Sequence, residues 1–122
     1  ARKNILLVDD EDAIVTTLER ALERMGYHVR ASRNAQEALD LFCENPGAFD
    51  LVITDMTMPR MTGIELGKRI MEIRPDTSVI LCTGFSDLIN EKGAKDLGFS
   101  GLLIKPAGTS ELRLAVSHAL ES

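Results

Sequence analysis

Four apolar residues, Ile5 to Val8, run directly into four acids, Asp9, Asp10, Glu11 and Asp12. Two unit charges about 4 Å apart repel by about 4 kcal/mol at an effective dielectric of 20. An acid cluster at the end of a strand therefore calls for a compensating partner. Further polar residues follow three other apolar runs: Asp55 in "VITDMTMPRMTG", Thr83 and Gly84 in "ILCTGFSD", and Lys105 and Pro106 in "LLIKPAG". Gathered in one place, the acid oxygens suit a hard cation such as Mg²⁺, which takes one or two carboxylates and keeps several waters. A carboxylate is also a nucleophile that can form an aspartyl phosphate. Lys105 and Thr83 would then offer positive charge and a hydrogen bond to the transferred oxygens. Gly84, with no Cβ, lets the backbone come close.

Taken singly, each has a structural explanation. Asp9 and Asp10 could cap a helix, Asp55 could initiate a turn before Pro59, and Thr83, Gly84 and Lys105 could be ordinary strand exits. Their joint placement requires elements that bring four strand ends together. Short apolar runs predict strands at Asn4–Val8, Leu51–Thr54, Ser78–Cys82 and Gly101–Ile104, as in a parallel sheet covered on both faces. The more mixed "YHVRA", Tyr27–Ala31, predicts an edge strand. Helical spacing lies between them. Ile14, Leu18, Ala21, Leu22 and Met25 form one stripe closed by Gly26, and Ala35, Ala38, Leu39 and Phe42 face inward in a helix to Glu44. Ile64, Ile70, Met71 and Ile73 define a third helix ended by Pro75. A weakly apolar fourth spans about Asp87 to Asp96, and Leu112, Ala115, Val116, Ala119 and Leu120 mark the last.

Five βα units with right-handed crossovers predict a five-stranded, doubly wound parallel sheet in a single domain over residues 1–122. Ligands of such sheets sit beyond the carboxyl ends of the strands, near the switch in strand order. At 44% apolar and 27% charged residues, the composition is that of an ordinary soluble globular domain. The net charge of −5 gives no basic surface for nucleic acid. No apolar run is long enough to span a bilayer and no signal peptide is visible, so membrane contact is not expected and a cytoplasmic setting is. Cys43 and Cys82 lack metal-ligand spacing and read as core or near-core thiols in a reducing compartment. The start at Ala1 rather than Met suits a domain excised from a longer protein.

"LLVDDED", "DLVITDMTMPRMTGIEL", "ILCTG" and "GFSGLLIKP", in order across essentially the whole chain, resemble the receiver domain of two-component response regulators. The resemblance implies a flavodoxin-like (βα)₅ fold with strand order 2-1-3-4-5. It implies a phosphorelay domain, not itself an enzyme, in which Asp55 accepts phosphate from a histidine kinase or phosphotransfer domain. Asp10, Asp55 and the backbone carbonyl of Thr57 would hold Mg²⁺, with Asp9 acting through a metal-bound water. Lys105 and Thr83 would contact the phosphoryl group, beside Gly84, and the Lys105–Pro106 bond is a candidate cis peptide. Phosphorylation would shift the face made by the fourth helix, fifth strand and last helix. An aromatic residue often found three before the lysine is replaced by Leu102, which leaves a switching role there open. Phe85 and Thr57 together predict slow self-dephosphorylation. "TGFSDLINEKGAKDLGFSGLLIKP" is similar to receivers of hybrid histidine kinases; a free-standing regulator is the alternative.

Three other readings fit less well. A metal-dependent phosphatase with an aspartyl-phosphate intermediate would place its nucleophile on the first strand and needs residues for a lid. A nucleotide- or flavin-binding domain needs a first loop of N–H donors, where "DDED" would repel phosphate. A degenerate receiver serving only as an interaction module would lack one of the acids or the lysine, and none is missing.

Overall fold

The computed structural model describes residues 2–84 and 89–121. Five strands, β1 (Asn4–Val8), β2 (His28–Ser32), β3 (Leu51–Asp55), β4 (Ser78–Thr83) and β5 (Gly101–Ile104), alternate with five helices. These are α1 (Asp12–Arg24), α2 (Ala35–Glu44), α3 (Gly63–Ile73), α4 (Glu91–Asp96) and α5 (Thr109–Glu121). All strand pairs are parallel, in the order β2-β1-β3-β4-β5, and "YHVRA" does supply an edge.

Successive strand residues point to opposite faces, and this divides the core in two. Ile5, Leu7, Leu51, Ile53 and Ile80 pack with Val15, Leu18 and Leu22 of α1 and Leu112, Val116 and Ala119 of α5. Leu6, Val8, Val52, Val79 and Leu81 pack on the other side with Phe42 of α2, Leu66 and Ile70 of α3, Ala94 of α4 and Phe99. β1 and β3 are thus covered on both faces, which explains their unbroken apolar sequences.

Local capping accounts for several boundaries. The Asn34 side chain accepts from Glu37 N at 3.0 Å to start α2. Thr62 and Glu65 form a capping box at α3. Gly26, at φ +99°, closes α1 in a conformation that L side chains rarely adopt.

Four sequence expectations need correction here. β2 begins one residue late because the Tyr27 N–H still returns to Leu22 O, so that His28 N is the first to bond across to Lys3 O. In the fourth helix the Asn90 side chain accepts from Gly93 N at 2.8 Å, fixing the start at Glu91 rather than Asp87; residues 85–88 lie outside the described part. The buried face of α3 is Gly63, Leu66, Gly67 and Ile70, while Ile73 is 41% exposed. The Phe99 ring lies where a Cβ on Gly67 would stand, 2.2 Å from its nearest atom, so a close contact of α3 falls on a residue without a side chain. Cys82 is buried as expected, but Cys43 is exposed, on the outward side of α2.

Candidate functional site

Parallel register builds the site. β1–β3 pairing sets Val8 beside Thr54, so the next residues, Asp9 and Asp55, leave the sheet as neighbours. β3–β4 pairing sets Asp55 beside Cys82, and β4–β5 pairing sets Thr83 beside Ile104, with Lys105 next. With neighbouring strands roughly 4.8 Å apart, four strands deliver three carboxylates, a hydroxyl and an ammonium to one edge.

Asp9 and Asp55 are buried, at 1% and 6% exposure, and Asp10 is exposed. One carboxylate oxygen from each of the three lies within 4.8 Å of the others. Lys105 Nζ stands 2.7 Å from Asp55 Oδ1 and 2.9 Å from Asp9 Oδ2. The other oxygen of Asp9 accepts the Glu11 N–H at 3.0 Å. Neither Asp9 nor Asp10 is the helix cap: Glu11 holds that position, without a side-chain cap bond. Lys105 N donates to Thr83 O at 2.8 Å, tying the lysine's backbone to β4. Thr83 is buried, with its hydroxyl 3.3 Å from Gly84 O. Lys105–Pro106 is cis.

Burial raises the Asp55 carboxyl above its usual range; the hydrogen bond from Lys105 opposes this, and the charges of Asp9 and Asp10 add to it. For Lys105, burial acts to lower the ammonium, but hydrogen bonds to Asp55 and Asp9 outweigh it and hold the group above its ordinary value. Lys105 therefore stays charged while Asp55 competes poorly for its own negative charge. Beside them, burial pushes the Cys82 thiol up to about 12, so it remains an inert S–H. An all-oxygen donor set, converging and underneutralised by one lysine, is what a hard divalent cation requires. Asp9, Asp10 and Asp55 fit Mg²⁺ on that ground.

Two participants escape sequence reading. Gly63 donates its N–H to Met56 O at 2.9 Å, pressing the start of α3 against the chain after Asp55. A Cβ there would stand 2.1 Å from the Asp55 carbonyl oxygen. Arg60 has φ +72°, the one positive value at a non-glycine among the described residues. Left-handed backbone costs an L residue roughly 1–2 kcal/mol, while glycine loses part of that gain to chain entropy. Arg60→Gly is accordingly expected to stabilise the domain by about 1 kcal/mol, read as a higher urea midpoint at unchanged slope. Leu102 is half-buried and packs against the core on the α4 side. Phe85 lies outside the described residues.

The pattern of the response regulator receiver domain matches residues 5–117. The chain belongs to that family. This receiver is 39% identical over 118 residues to the DNA-binding transcriptional regulator NtrC of Azospirillum brasilense, covering 97% of the chain and 24% of that protein. It is 35% identical over 118 residues to the sensor kinase CckA of Brucella abortus, covering 96% of the chain and 12% of that protein. The receiver thus spans a quarter or less of these two relatives' length. A crystal structure of a response regulator receiver domain protein from Clostridium thermocellum superposes with a TM-score of 0.92 at 35% identity, over 98% of this chain and 94% of that one. Flavodoxin-like topology, strand order and membership of two-component systems stand together. Among the described residues no helix is long and apolar enough to cross a membrane.

Proposed function

We propose that Asp55 is the phosphoacceptor of a phosphorelay, charged by the phosphohistidine of a kinase or phosphotransfer partner. The observation that carries this reading is the Lys105 ammonium 2.7 Å from Asp55, with oxygens of Asp9 and Asp10 within 4.8 Å of the Asp55 carboxylate. An Asp55 oxygen attacks phosphorus, the P–O bond forms as the P–N bond breaks, and the departing imidazole takes up a proton. Lys105 stays protonated and meets the charge that develops on the phosphoryl oxygens. Asp10, Asp55 and the Thr57 carbonyl would hold Mg²⁺ directly, with Asp9 acting through water. Bound there, the ion supplies neutralisation of the acids and of the incoming group.

The acyl phosphate carries nearly two negative charges where the carboxylate carried one, and spreads them over three phosphoryl oxygens next to Lys105 and Thr83. Their hydroxyl and ammonium contacts favour a conformer drawn toward it, and the α4–β5–α5 face is the surface that reports the change. Similarity to a sensor kinase supports a place within a hybrid histidine kinase in the cytoplasm. Similarity to a transcriptional regulator supports a separate regulator, and the parent reading frame distinguishes them. A phosphatase reading has no supporting observation.

The test is intact mass after incubation with a small phosphodonor. One phosphoryl group is expected with Mg²⁺ and none with excess chelator. Hydride reduction should then place the acyl phosphate at Asp55. Labelling at another residue, or uptake indifferent to the chelator, would refute the assignment.

A further inference from the structure

Asp10 borders more than the acid cluster. It also lines a cavity of about 540 Å³, together with Arg33, Met58, Pro59, Arg60 and Met61. Met58 and Met61 are buried, whereas Pro59 and Arg60 between them are exposed. Met61 N donates to Pro59 O at 2.8 Å, and Arg60 at the centre has φ +72°. A bond from residue i to i+2 about a positive φ is the strained form of the three-residue turn. The buried methionines clamp that turn at both ends, so Arg60 is presented at the cavity by a backbone that would suit glycine better. Strain of this kind points to a side chain in use.

The two guanidiniums at the cavity differ. Arg33 Nε is committed to Asp12 Oδ1. Arg60 has no hydrogen bond or ion pair among the described residues. A free arginine is a fork of donors that matches a carboxylate bidentately. In a phosphoryl transfer to Asp55, phosphorus approaches the attacking oxygen to roughly 3–3.5 Å. Oxygens of Asp10 and Asp55 lie within 4.8 Å of each other, so the part of a donor beyond phosphorus reaches the wall that Asp10 gives to the cavity. With an acyl phosphate, the Asp55 oxygen bonds to phosphorus as the P–O bond to the acyl group breaks. The electron pair leaves on a carboxylate and no proton moves. With an N-phosphoryl donor the P–N bond breaks, the nitrogen takes up a proton, and the departing amine gains nothing from a guanidinium.

We propose that Arg60 is a specificity-determining residue that receives the carboxylate leaving an acyl phosphate, while Met58 and Met61 pack on its short apolar chain. Arg60 thereby raises the use of acyl phosphates relative to N-phosphoryl donors. This inference rests on the phosphoacceptor reading of Asp55. Its test compares acetyl phosphate with phosphoramidate, each with Mg²⁺, by the second-order rate of phosphoryl uptake read as intact mass. Arg60→Asn removes the charge and tolerates the left-handed turn, Arg60→Gly removes the side chain, and Arg60→Lys restores the charge without the fork. The acetyl phosphate to phosphoramidate rate ratio should fall roughly tenfold in Arg60→Asn and Arg60→Gly, with partial recovery in Arg60→Lys. Urea midpoints at or above wild type in the two neutral variants would show that the fall is not loss of fold. A ratio equal to wild type in both neutral variants would overturn the proposal and leave Asp55 as the acceptor. So would an equal fall with both donors, which assigns the effect to the turn itself. A wild type labelled by neither donor would overturn the phosphoacceptor reading and this inference together.

Discussion

Asp55→Asn is expected to abolish phosphoryl uptake and, without metal, to make the domain more stable at neutral pH. Both effects come from one carboxylate. Asparagine keeps an oxygen to accept from Lys105 but lacks the nucleophilic charge, so no acyl phosphate can form. For stability, burial raises the Asp55 carboxyl in the fold, with Lys105 opposing. A group whose folded value lies above its unfolded one contributes stability that is complete below the unfolded value. That contribution is lost as pH rises through the folded value. Wild type in chelator should therefore lose stability as pH climbs from the acid side through the raised carboxyl range of Asp55, and the variant should lose less. Melting curves across that window, paired with intact mass after phosphodonor treatment, make the check. Mg²⁺ should reverse the ranking, since a ligand at about 100 times its dissociation constant stabilises by roughly 2.7 kcal/mol, and the variant offers a weaker site. A variant that still gains a phosphoryl group, or that melts below wild type throughout in chelator, would contradict this account.

The second large effect belongs to a residue without functional groups. Gly63→Ala would put a Cβ 2.1 Å from the Asp55 carbonyl oxygen, 2.9 Å from its carbon and 3.0 Å from Met56 Cα. All three are backbone atoms of a strand end locked by the Met56 N to Cys82 O bond at 2.8 Å, so none can swing away. Overpacking usually costs about 1–3 kcal/mol and more where nothing yields. A loss above about 3 kcal/mol is expected in urea unfolding, with impaired phosphoryl uptake because relief requires moving Asp55. Gly67→Ala is the control. Its Cβ meets the Phe99 ring at 2.2 Å, a side chain that can turn, so the loss should be smaller. A Gly63→Ala protein within about 1 kcal/mol of wild type would show that α3 does not brace the site.

These two glycines illustrate what could be read from the chain and what could not. Four strands were legible because each is a short apolar run broken by polar residues, and β1 and β5 have the expected bounds. Asp55, Thr83 and Lys105 were legible because each is the polar residue that closes an apolar strand run, which in a parallel sheet places all three at the carboxyl ends. The buried face of α3 was not, since Gly63 and Gly67 carry no hydropathy and their role is the space they leave. Nor could sequence separate Asp9, sealed at 1% exposure against Lys105, from exposed Asp10. That difference comes from the side chains alternating across the end of β1. The left-handed turn at Arg60 carries no signal either, because arginine is an unusual choice for it.

The Lys105–Asp9 contact joins residues 96 positions apart. A ribosome delivers Asp9 and Asp55 well before Lys105, the cation that pairs with both among the described residues. An unfinished polypeptide that ends before residue 105 holds the acceptor without the ammonium beside it. On the phosphoacceptor reading, products truncated before Lys105 are expected to stay silent in the relay.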